Sequence, residues 1–147
     1  MRTSLILVAV LLVSSLPSFA FKEETVEELI ARAEAARPEE RPPLYTEIAK
    51  RKLKAADQLY NAGQTDQARA TVNDVVNYCG KATDAATQSG KHLKHTEISV
   101  RKMAAKLRDI QRSLNFEDQA PIKAAVEQLE NLRTALLSRM FGGKNKK

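Results

Sequence analysis

After residue 20 the chain reads as helix throughout, and its clearest pattern is a stripe of small and apolar residues that starts at Ala68. Ala68, Val72, Val75, Cys79, Ala82, Ala86, Ser89, Leu93, Thr96, Val100, Met103, Leu107, Ile110 and Leu114 follow one another in alternating steps of four and three. Such spacing is the heptad seam that keeps one helix face against a partner. Its phase runs unbroken through Gly80 and Gly90, which predicts one long central helix over about 66–115, roughly 70 Å at 1.5 Å per residue. Each interior glycine costs about 1 kcal/mol relative to alanine, so a bend is expected near Gly90. The alternative is a break at Ser89-Gly90, with Lys91 opening a further helix.

Shorter helices are expected on either side. Thr25 and Glu28 have capping-box spacing, each able to satisfy the other's free amide, and Val26, Leu29, Ile30 and Ala33 make a stripe over about 25–36. Pro38 ends that helix, and Arg37–Pro43 is a charged linker. A second helix over about 43–62 carries Tyr45, Ile48, Ala49, Leu53, Ala56 and Tyr60 on one side. Gly63 ends it, because glycine tolerates the left-handed conformation at a helix terminus, and Thr65 or Asp66 caps the next element. The short turn predicts an antiparallel hairpin. Asp118 is the expected cap of a last helix over about 119–141, with Pro121 in its first turn and Ile122, Val126, Leu129, Leu136 and Met140 facing inward. Residues 142–147 form a basic tail. The expected fold is one all-α domain over 21–141, antiparallel helical hairpins around the long helix. The small seam residues Ala82, Ala86 and Ser89 make its middle the least stable part.

The first hairpin resembles one tetratricopeptide repeat. Leu59, Gly63, Ala68 and Val72 stand at the spacing of that family's tyrosine, glycine, alanine and phenylalanine. Lys52, Ala55 and Ala56 replace its tryptophan, leucine and glycine, and no second copy follows about 34 residues later. The resemblance implies a helical hairpin and carries over no binding residue.

The opening MRTSLILVAVLLVSSLPSFA changes where such a protein is expected to work. Arg2, the apolar run Leu5–Val13, Pro17 and the small residues before Phe21 form a secretory signal pattern. The run is too short for a membrane-spanning helix, which needs about 20 apolar residues. We expect cleavage near Ala20, no transmembrane segment in the mature chain, and a periplasmic or secreted location.

Charge is uneven: residues 21–50 are net −3, 51–115 net +6 and 116–147 net +2. The acidic arm could fold back on the basic helix. Few aromatics and no tryptophan leave little on which bases could stack, so no nucleic acid is expected. Cys79, His92 and His95 invite a metal reading, but thirteen residues of continuous helix would separate Cys79 from His92 by about 20 Å. No haem-attachment motif, catalytic triad order, phosphate-cradling glycine loop or paired-carboxylate site stands out. No enzyme activity, catalytic residue, metal or cofactor is therefore expected. A single cysteine in an oxidising compartment could join two chains, which leaves a homodimer open.

The remaining candidate is a basic face on the C-terminal half of the seam helix: Lys91, Lys94, Arg101, Lys102, Arg108 and Arg112, with Lys106 beside them and Ile98 and Ala105 interrupting. The leading expectation is an exported, non-enzymatic helical scaffold or protein-interaction module of the cell envelope. One alternative is a basic binder that contacts anionic lipid or polymer through the Lys91–Arg112 face. Another is a small-ligand or metal-binding helical bundle. The ordinary alternative for the face itself is a solvated helix exterior.

Overall fold

The computed structural model describes residues 22–142, and the signal pattern at 1–20 and the residues after 142 lie outside them. Five α-helices account for most of the described chain: α1 (Val26–Ala35), α2 (Arg41–Asn61), α3 (Thr65–Ser89), α4 (Leu93–Ser113) and α5 (Phe116–Phe141). There is no strand among the described residues.

The long central helix is not present. The chain leaves the helix after Ser89, and α4 begins at Leu93. Gly90 lies at φ +70° and His92 at φ +58°, both in the left-handed region. The Gly90 amide closes α3 by donating to the Ala86 carbonyl at 2.8 Å. Ser89 Oγ donates to the Ala85 carbonyl and accepts from the Lys91 amide, which holds the corner. The seam keeps its phase across this corner for a tertiary reason. Both helices turn the same stripe into one core, and α4 returns beside α3 so that Cys79 Sγ lies 3.9 Å from Met103 Sδ.

Charged contacts fix the directions of the helices. Lys52 meets Asp74 at 3.2 Å across the antiparallel α2–α3 hairpin, and Arg133 meets Glu97 at 2.6 Å across the antiparallel α4–α5 hairpin. The two hairpins lie side by side. Helix α2 runs parallel to α4, with Asp57 2.7 Å from Lys106. Helix α3 runs parallel to α5, with Arg69 near Asp118 at one end and the Arg139 guanidinium donating to the Thr87 carbonyl at the other.

Between them sit Leu53, Val72, Val75, Val100, Met103, Leu107, Ile110, Ile122, Leu129 and Leu136. Each such side chain contributes about 1.5–3 kcal/mol when fully buried. Helix α1 closes a smaller cluster in which Leu29 and Ala33 pack on Tyr45, Ile48 and Ala82. The Thr25–Glu28 capping box forms as its spacing predicts.

Other boundaries shift. A 3-10 turn at Pro38–Glu40 leads into α2 at Arg41. Gln64, not Thr65 or Asp66, precedes α3. Asn115, not Asp118, precedes α5, and Asp118 sits in its first turn, where a carboxylate suits the helix dipole. Gly63, at φ +72°, turns the α2–α3 hairpin as expected, and Ala68 and Val72 are buried in it.

Candidate anion-binding surface

The six basic residues that the sequence places on one face divide into two groups. Arg101 lies 3.6 Å from Glu97, Arg108 bonds Glu130 at 2.6 Å, and Arg112 lies 3.5 Å from Asp109. Lys106 is held by Asp57. These cations knit α4 to itself, to α5 and to α2. Glu97 is the acceptor shared by Arg101 and Arg133, and it is nearly buried at 7% exposure. The bond from Arg108 and the charge of Arg133 hold Glu130 below the usual carboxylate range.

Lys91, Lys94 and Lys102 are exposed and form no ion pair among the described residues. The fold adds two more of the same kind. Lys50 and Lys54 are exposed on α2, also without a carboxylate partner, on the side that meets α4. The parallel register brings Lys50 to His95, just as it brings Asp57 to Lys106. Burial, with the nearby charges of Lys50 and His92, holds the His95 imidazole below its ordinary value. Among the described residues the only other lysine without an ion pair is Lys123. Lys50 and Lys54 on α2 and Lys102 on α4 share the side where those helices meet, as Lys50 near His95 and Asp57 on Lys106 show, while Lys91 lies in the α3–α4 corner and Lys94 on the outward stripe of α4 that Arg101 and Arg108 continue.

Chemistry elsewhere is closed on itself. Lys81 lies 5.7 Å and 5.2 Å from the ring centres of Tyr45 and Tyr78. Glu34 accepts from both Lys81 and the Tyr45 hydroxyl at 3.4 Å. This cluster fastens α1 to α2 and α3, so the acidic arm meets the bundle here through Glu34. A groove borders it, with Arg41 and Asp84 on its walls.

The break at Gly90 does not bring Cys79 to the histidines. The antiparallel return sets Cys79 against Met103, ten residues into α4, while His92 and His95 stay at the corner. Among the described residues no three His, Cys, Asp or Glu side chains gather where they could share a metal ion. Cys79 is fully buried, and burial pushes its thiol up to about 12. A thiol so placed cannot reach a second chain while the bundle stays folded. No helix among the described residues is long and apolar enough to cross a membrane.

The lysines of α2 escaped the sequence reading because they lie some forty residues before α4, and only the register between parallel helices joins them. The loss of Arg101 and Arg112 to pairing was legible, since Glu97 and Asp109 stand four and three residues before them, within reach on a helix. No protein-family model, curated protein or solved structure matches this chain.

Proposed function

We propose that the protein is an exported, non-enzymatic helical interaction module of the cell envelope, and that it engages an anionic partner through its exposed lysines on α2, on α4 and in the corner before α4. One observation carries this reading. Among the described residues the bundle pairs most of its cations internally, yet leaves Lys50, Lys54, Lys91, Lys94 and Lys102 exposed and without an ion pair on α2, on α4 and in the corner before α4. Like charges close together repel, and an anionic surface relieves that repulsion while lowering the cost of protonating His95. The secretory pattern of residues 1–20 supports export, with the mature chain starting near Phe21.

Binding to an immobilised anionic polymer tests the reading. Retention should be strong in dilute buffer and lost as salt shortens the screening length, about 10 Å at 0.1 M. Retention that is indifferent to salt would remove the electrostatic basis. Export is checked by mass spectrometry of the secreted species, which should begin near Phe21.

A further inference from the structure

We infer that the anionic partner is a bilayer surface, met by the end of the bundle where α4 begins and α5 ends. The inference rests on the anion-binding reading above and adds what the lysines alone do not specify. This end carries Lys91, Lys94 and an exposed aromatic ring, and the acidic Glu39 and Glu40 that lie near the end of α3 are taken up by Arg37. Phe141 is 58% exposed at the close of α5. Arg139, two residues before it, lies across the corner, its guanidinium donating to the Thr87 carbonyl and reaching within 3.4 Å of where a Gly90 side chain would begin. The antiparallel register that sets Arg133 on Glu97 carries Phe141 about 12 Å further along α5, past the start of α4 to the level of the corner that holds Lys91, with Lys94 one turn and more behind it.

Lysines next to an exposed ring suit the boundary of an anionic membrane. Each lysine near such a surface strengthens binding about fivefold, and an aromatic ring settles at headgroup depth, where one side is apolar and the other wet. A soluble polyanion would use the lysines and have no use for the ring. Ile98, on the outward side of α4 between Lys94 and Lys102, and Ala105, one turn further on, add a little apolar surface.

The opposite end supplies a built-in comparison. Phe116 is more exposed, at 88%, but its surroundings hold no excess of cations: Glu117 follows it, Lys123 lines the same groove, and Arg69 is taken by Asp118. The two phenylalanines should therefore behave differently.

Co-sedimentation of the purified protein with vesicles decides the matter, with circular dichroism to show that each variant keeps its helices. Vesicles of phosphatidylcholine mixed with phosphatidylglycerol should bind the protein, and vesicles of phosphatidylcholine alone should not. The double variant Lys91→Glu, Lys94→Glu should bind at least about 25-fold more weakly. Phe141→Ala should lose roughly fivefold, as expected for removing a partly buried ring, while Phe116→Ala should bind like the parent. If Phe141→Ala binds like the parent, or if soluble polyphosphate binds as tightly as the vesicles, the bilayer assignment falls and anion binding stands. If neither vesicles nor polyphosphate bind, both readings fall together.

Discussion

Alanine at Gly80 and alanine at Gly90 should shift stability in opposite directions. Gly80 lies inside α3 at an ordinary helical conformation, and a side-chain carbon built there meets no heavy atom within 4 Å. Gly80→Ala should therefore stabilise the protein by about 0.5–1 kcal/mol, the penalty glycine carries in a helix interior. Gly90 sits at φ +70°, where an L residue costs about 1–2 kcal/mol. Its added carbon would face only the flexible tip of Arg139 at 3.4 Å, so sterics contribute little beyond the backbone term. The smaller conformational freedom of alanine in the unfolded chain returns about 0.4–1 kcal/mol. Gly90→Ala should then be destabilising by about 1 kcal/mol, and the two variants should differ by about 2 kcal/mol. Urea unfolding midpoints at unchanged slope measure this directly, and thermal midpoints should separate by several degrees. If Gly90→Ala stabilised the protein as much as Gly80→Ala, the helix would run through residue 90 and the corner described above would be wrong.

Two further substitutions probe the interior. Thr83 is 2% exposed and its hydroxyl has no protein partner, so Thr83→Val should raise stability by about 1 kcal/mol, because it removes an unpaired buried polar group at nearly constant shape; a loss of stability in chemical denaturation would mean that the hydroxyl is bonded. Cys79 keeps its proton in the fold up to about pH 12, against an ordinary value of 9.0, so its contribution is complete below about pH 9 and declines by about 1.4 kcal/mol per pH unit as pH rises toward 12. Unfolding midpoints of the parent and of Cys79→Ala, compared over that range, should converge as pH rises; parallel curves would show that the thiol ionises freely in the native state.

The seam was legible because a helix in water must bury one face, and the stripe that does so shows directly in residue spacing. The corner at Gly90 was legible only as the alternative to an unbroken helix, because the seam passes through Ser89 and Leu93 in the same phase that an unbroken helix would give. Two helices that share one core can keep a common phase without sharing an axis. Gly90 itself was a fair signal, but His92 at φ +58° had none, since histidine carries no preference for that conformation comparable to glycine's. The helix starts were blurred for a related reason. Thr65, Asp66 and Asp118 all look like caps, yet Gln64 and Asn115 take the position without a side-chain bond. The basic face was half legible. Spacing alone shows that Glu97 can hold Arg101 and that Asp109 can hold Arg112, whereas the bond from Arg108 to Glu130 and the approach of Lys50 to His95 exist only in the folded bundle.

The central claim is that the unpaired lysines, and not the basic content of α4 as a whole, hold the partner. Two triple variants with the same loss of charge separate these: Lys50→Gln, Lys54→Gln, Lys102→Gln and Arg101→Gln, Arg108→Gln, Arg112→Gln. The measurement is the dissociation constant for polyphosphate at low and moderate salt, with helical content confirmed for each protein. The account predicts that the lysine variant loses most of the salt-sensitive affinity while the arginine variant keeps most of it, because each of those arginines has a carboxylate within 4 Å and the lysines have none among the described residues. Equal losses in the two variants would show that net charge alone governs binding and would contradict the account.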